Sequence, residues 1–118
     1  MKNLLFSLNL LFTLVIFGQN QANNWYFGQN AGLNFSSGNP VALTDGALNT
    51  PEGCSTISDS TGNLLFYTDG IDVWNKNHNL MPNGSGLLGA SSSTQSGIIV
   101  PHPGDNNLYY VFSLAEIA

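Results

Sequence analysis

The groups able to do acid–base chemistry are few: carboxylates at Asp45, Glu52, Asp59, Asp69, Asp72, Asp105 and Glu116, and imidazoles at His78 and His102. Glycoside hydrolysis on a propeller scaffold needs two or three inward-facing carboxylates at a set separation. Asp72 alone falls at a position that reads as strand, so the set is incomplete. Asp59, Asp69 and Asp105 stand at hairpin turns, where a carboxylate caps backbone N–H groups. The run Asp59-Ser60-Thr61-Gly62-Asn63 looks like the start of a calcium loop. An EF-hand needs an acidic ligand at the twelfth loop position, and Gly70, with Ile71 after it, stands there instead. Neither imidazole has a Cys or a second His at metal-ligand spacing. No Ser sits in a nucleophile elbow, since Asn83-Gly84-Ser85-Gly86 lacks the spacing. No glycine loop carries the Lys of a phosphate cradle. No catalytic residue, metal or cofactor is expected.

Binding chemistry is better represented. Trp25, Tyr26, Phe27, Trp74, Tyr109 and Tyr110 offer rings that stack on sugars, or that fill the space between packed sheets. His102, held between Pro101 and Pro103, is rigidly placed for display. Trp25, Trp74, Asp72 and His102 are therefore the candidate ligand-facing residues. Cys54 is the only cysteine, so there is no internal disulfide framework, and it reads as a small buried strand residue.

The elements that must position these groups are short strands. Asn63-Leu64-Leu65-Phe66-Tyr67-Thr68 is echoed 44 positions later by Asn107-Leu108-Tyr109-Tyr110-Val111-Phe112. Each copy follows a Gly/Asp/Asn turn and an earlier apolar run. A repeat of roughly 40–45 residues built from short strands has the spacing of a β-propeller blade. One complete four-stranded blade is expected: Cys54 to Ser58, Asn63 to Thr68, Ile71 to Trp74 after an Asp69-Gly70 hairpin turn, and Asn79 to Pro82 at the edge. Trp25 to Pro40 and Ser96 to Ser113 read as parts of two other blades, the former a ring-closing piece whose partner strands lie elsewhere. Val41 to Thr44 is either a short strand or a connector. The Ser91-Ser92-Ser93-Thr94 run reads as the loop between blades. The fold class expected is thus all-β, an incomplete β-propeller. The echo at Leu108 to Phe112 reaches no second hairpin before Ala118, so the domain reads as truncated.

Composition agrees with turn-rich β structure: 13 Gly, 5 Pro, 11% aromatic and only 8% charged residues. The net charge is −5, and Lys2 and Lys76 are the only Lys or Arg. So few cations cannot neutralise a phosphate backbone, which excludes nucleic acid and anionic membrane surfaces as partners. Met1-Lys2-Asn3 followed by the apolar stretch Leu4 to Phe17 has the pattern of a secretory leader. The stretch is shorter than the about 20 residues a spanning helix needs. Residues 1–22 are read as a signal peptide cleaved after Gly18 or Ala22, and 23–118 as the partial propeller. The protein is expected outside the cell or on its surface, free of the membrane once the leader is cut.

Several segments, taken in order, resemble the N-terminal propeller-like region of large secreted Bacteroidota proteins. They are Trp25-Tyr26-Phe27-Gly28 with Gly32-Leu33-Asn34-Phe35, Gly53 to Asp59, and Gly62 to Gly70. Val73-Trp74-Asn75 with Asn77-His78, Met81-Pro82-Asn83-Gly84, and Ser96 to Pro101 with Tyr109-Tyr110 continue the series. The resemblance covers nearly all of the chain beyond the leader. In that family such regions precede adhesion-like repeats and a C-terminal sorting domain for type IX secretion, in proteins labelled gliding-motility-associated. It implies a fragment lacking its C-terminal blades, and no catalytic residues, because the family's activity is mostly undefined. Asp59-Ser60-Thr61 resembles the O-glycosylation site of exported Bacteroidota proteins, which makes Ser60 a candidate acceptor. The function expected is non-enzymatic binding or display of an extracellular glycan or protein. The alternatives are a fragment of a secreted carbohydrate-active enzyme and a spacer without a ligand.

Overall fold

The computed structural model describes residues 19–115. The leader up to residue 18, and Glu116, lie outside the described residues. Asn20–Ala22 form one 3-10 turn, and no α-helix occurs among the described residues. The rest is all-β, with eight short strands in three antiparallel sheets.

The first sheet is the meander β1 (Asn24–Phe27), β2 (Ala31–Asn34) and β3 (Val41–Leu43). Val41 to Leu43 is therefore a strand rather than a connector, so the chain itself supplies a partner for the Trp25 to Pro40 segment. The expectation that all its partners lie elsewhere is corrected to that extent. Trp25 pairs with Leu33, and no strand pairing joins this segment to the Leu64 to Trp74 hairpin.

The second sheet is β4 (Ser55–Ser58), β5 (Leu64–Thr68) and β6 (Val73–Asn75). The expected fourth strand is reduced to a single bridge between Leu80 and Trp74. The expected two-residue hairpin is longer. Pairing ends at Thr68–Val73, so Asp69 to Asp72 all lie in the loop. Asp69 sets this loop: its carboxylate accepts the N–H groups of Ile71 at 2.9 Å and Asp72 at 2.8 Å. The Thr68 hydroxyl donates to the Asp72 carbonyl at 2.6 Å and accepts the Gly70 N–H at 2.9 Å. These local bonds hold the chain in a turn where alternation alone reads strand.

The third sheet is the hairpin β7 (Gly97–Pro101) and β8 (Tyr109–Ser113). Because side chains alternate along a strand, each sheet has two working faces. Tyr26 of β1 faces Tyr67 of β5, the rings stacked at 4.7 Å. On the opposite side of β5, Phe66 meets Tyr109 of β8 edge-on at 5.4 Å. The sheets therefore stack in chain order, first on second on third. Tyr26, Leu48 and Tyr67 form the buried core, with Leu43, Cys54, Leu64 and Trp74 packed against it.

Between the second and third sheets the backbones come very close. Gly89 donates its N–H to the Gly70 carbonyl at 3.0 Å, and Gly53 donates to Ser93 at 3.1 Å. Ser93 in turn donates to Ala90, so the serine run is a folded loop between sheets. A Cβ on Gly53, Gly70 or Gly89 would collide with the backbone of this crossing.

Candidate functional site

The most elaborate polar arrangement was not visible in the residue pattern. It begins with a turn. In Asn75 to Asn79 the Asn75 N–H donates to the Asn79 carbonyl, and its side-chain oxygen accepts the N–H groups of Asn77 and Asn79. His78, at the fourth position, has φ +62°. Asp59 to Asn63 repeats this pattern bond for bond, with Gly62 at φ +92° in the fourth position. Histidine tolerates the left-handed region better than most residues but is uncommon there. Here the geometry turns its ring toward the two core tyrosines.

The result is a chain of side chains across the junction of the first two sheets. Tyr26 donates its O–H to Asp45 Oδ1 at 3.0 Å. His78 Nε2 lies 3.3 Å from Asp45 Oδ2, and His78 Nδ1 lies 3.1 Å from the Tyr67 hydroxyl. That hydroxyl also accepts the Ala47 N–H at 2.9 Å. With the imidazole neutral, Nε2–H donates to Asp45 and Tyr67 donates to Nδ1, so every polar atom in the chain has a partner. Trp74 stacks on the far side of Tyr67 at 5.5 Å.

Carboxylate, imidazole and hydroxyl in this order would activate the hydroxyl as a nucleophile if a substrate could reach it. Tyr67 is 0% exposed, so none can. The network instead ties the Asp45 loop and the His78 turn to the stacked phenols. Burial raises the pKa of Tyr26, and the hydrogen bond and charge of Asp45 raise it further. Burial raises Tyr67 as well, opposed by the Ala47 N–H bond. A phenol that holds its proton more tightly when folded contributes its full stability below its ordinary value of 10.0. That contribution is lost as pH rises through 10.0 toward the higher folded value. The thermal midpoint should therefore fall steeply above about pH 10. Tyr26→Phe should flatten that fall, and an equally steep fall in the variant would refute the assignment.

The residues expected to face a ligand are not brought together. No hydrogen bond or ring contact joins any two of Trp25, Trp74, Asp72 and His102 among the described residues. Trp25 is 50% exposed on the outer side of the first sheet, its Nε1–H donating to the Ala22 carbonyl at 2.9 Å and its ring 5.0 Å from Phe35. Trp74 packs into the core. Asp72 lies in the β5–β6 turn and not in a strand, so its expected strand placement is corrected. His102 shapes the β7–β8 turn, Nδ1 accepting the Gly104 N–H at 3.1 Å while its ring lies 5.4 Å from Tyr110.

The turn carboxylates behave as their positions suggested. Asp59 accepts four bonds from Thr61 and Asn63, which hold its pKa far below the usual carboxylate range. Asp105 accepts the Asn107 N–H at 2.8 Å. No group of three or more metal-ligating side chains occurs among the described residues. Ser60 is exposed on its turn, with its carbonyl accepting from Asn20 at 3.0 Å. Cys54 donates its thiol to the Tyr26 carbonyl at 3.4 Å, and burial raises its pKa, which suits a structural thiol.

A polar groove of about 520 Å³ opens where three turns meet the ends of β1, β2 and β5 in the first two sheets. Asn24, Asn34, Ser36, Asp59, Asn63 and Lys76 line it. Its walls are set by amide bonds: Asn24 Nδ2 donates to Ser58 Oγ and to the Gly62 carbonyl, both at 2.9 Å, and Asn34 donates to Asn24 at 2.7 Å. Lys76 is exposed at its edge, and its ammonium has no partner among the described residues. Comparison with family models, with curated proteins and with solved structures returned no match.

Proposed function

We propose that this chain is a non-enzymatic binding segment of an exported protein, and that its three stacked sheets are a section of a β-propeller. The 44-residue repeat and the stacking of sheets in chain order support the propeller. The leader-like N-terminus and the resemblance to secreted Bacteroidota proteins support an extracellular or surface setting, with further blades in a longer parent.

The observation that carries the binding reading is the groove of about 520 Å³, within the size range of ligand sites. Amide and hydroxyl groups on strand ends and turns suit a hydrogen-bonding, weakly charged ligand, and a glycan is the class that fits best. The unpaired ammonium of Lys76 favours a glycan bearing an acidic group. The reading is tested by titrating the protein with neutral and acidic oligosaccharides. Lys76→Ala and Ser36→Ala, both exposed, should weaken acidic-glycan binding by about tenfold, roughly 1.4 kcal/mol, without changing the unfolding midpoint. Undiminished binding in both variants, or no binding by the parent chain, would sink it.

A further inference from the structure

A second groove lies beside the first, between the second and third sheets, where the β4–β5 turn meets the β7–β8 turn. It encloses about 260 Å³ and is walled by Ile57, Asp59 and Ser60 on one side and by Pro101, Asn106 and Tyr109 on the other. Asp59 lines both grooves, so the Asp59 to Asn63 turn is their common wall. Across that wall, Asn24 of the first groove donates to Ser58 Oγ of the second at 2.9 Å. The four bonds that Asp59 accepts from Thr61 and Asn63 keep the wall in shape. The second groove alone is smaller than the about 300–1,000 Å³ of ligand sites, so it suits an extension of the first better than a site of its own.

The repeat makes the two grooves equivalent. Leu65 lines the first, and Tyr109, 44 positions later, lines the second. Gly62 and Asn106 are another such pair. Each groove thus forms where the end of one sheet meets the hairpin of the next. Their chemistry differs. Lys76 gives the first a cation, whereas Asp59 is the sole charged side chain lining the second. In place of Leu65 the second groove has a phenol ring, held by its edge-on contact with Phe66 at 5.4 Å. Ile57 and Pro101 extend that apolar floor, and the exposed Asn106 adds an amide at its rim. A pyranose has a C–H face that lies on an aromatic ring and a rim of hydroxyls that an amide can bond.

We propose, resting on the glycan reading of the first groove, that the ligand is a linear oligosaccharide lying across both grooves. An acidic sugar sits beside Lys76 in the first. A neutral sugar sits in the second, its C–H face on Tyr109 and its hydroxyls on Asn106. The linkage between them passes over the Asp59–Ser60 turn. The acidic sugar is assigned to the first groove because the second offers it no cation and one carboxylate. Two weak sites joined through one ligand bind far more tightly than either alone, since the second contact is made at high effective concentration. A chain of alternating acidic and neutral sugars is therefore the substrate class selected, and a single acidic sugar would be held weakly.

The test is calorimetric titration of the full chain with hyaluronan oligosaccharides, in which glucuronate and N-acetylglucosamine alternate, from disaccharide to octasaccharide. Affinity should rise by about 100-fold over the series and then level off. Tyr109→Ala should weaken octasaccharide binding by about tenfold and leave disaccharide binding unchanged, while Tyr109→Phe, which keeps the ring, should retain the gain. Asn106→Ala, at an exposed turn position, should show the same dependence on length with no change in unfolding midpoint, so the outcome does not hang on how Tyr109→Ala folds. Lys76→Ala should weaken every length by one factor. Equal affinity at all lengths, or Asn106→Ala and Tyr109→Phe behaving as the parent while Tyr109→Ala weakens disaccharide and octasaccharide alike, would overturn the second groove and leave the first standing. A gain with length that Lys76→Ala and Ser36→Ala leave untouched would sink the first groove and the spanning ligand with it. Binding at no length would overturn both.

Discussion

Replacing Gly70 by Ala should abolish cooperative folding. Gly70 has φ +86°, and a Cβ there would overlap the carbonyl and hydroxyl of Ser96. A left-handed Ala costs about 1–2 kcal/mol, and forcing an atom into a packed crossing costs about 1–3 more. Together that is about 2–5 kcal/mol, a large part of the about 5–15 that hold a domain folded. The overlap falls on backbone, which cannot rotate away as a side chain would. Gly86 separates the two costs. It has φ +73° with nothing within reach of a Cβ, so Gly86→Ala should lose about 1–2 kcal/mol. Denaturant midpoints of the two variants measure the difference, and equal losses would show that conformational strain alone operates at Gly70.

Tyr67→Ala should be of comparable severity. The ring is fully buried between Tyr26 and Trp74, and its deletion leaves a cavity at the junction of two sheets. Removing a buried aromatic side chain costs about 3–5 kcal/mol. Tyr67→Phe isolates the hydroxyl. It keeps the stack but strands the Ala47 N–H, a loss of about 1–3 kcal/mol. Urea unfolding of both variants gives the ratio. If Tyr67→Phe were neutral, the hydroxyl would have no part in holding the Asp45 loop.

What was legible in the sequence was local. The Asp59, Asp69 and Asp105 turns could be read because a carboxylate caps N–H groups a few residues away, within the same segment. The strands at Leu64–Thr68 and Tyr109–Ser113 could be read because the pattern recurs. Asp72 reads as a strand residue because Ile71-Asp72-Val73-Trp74 alternates like a strand, while the bonds from Asp69 and Thr68 hold its first half in a turn. The Tyr26–Asp45–His78–Tyr67 network left no periodic trace, since its members come from two sheets, a loop and a turn. One signal was present: Asn75-Lys76-Asn77-His78-Asn79 matches Asp59-Ser60-Thr61-Gly62-Asn63 with His in the glycine's place. A residue accepting a disfavoured backbone angle there marks a side chain needed elsewhere. The ligand-facing expectation for Trp25, Trp74, Asp72 and His102 rests on residue type, and type does not reveal which side of a sheet a ring occupies.

Among the described residues every strand pairs only with its neighbour in sequence, and the most widely separated strand partners are Gly97 and Ser113. Hairpins of this kind form in about 1–10 μs, because little chain must be gathered before the first contact is made. The slow part of folding is then the docking of preformed sheets, when the Tyr26 ring finds Tyr67 and the glycine crossing closes. A chain with this wiring builds itself from one end as it is delivered. Each sheet serves as the template for the next, and the order of emergence is also the order of assembly.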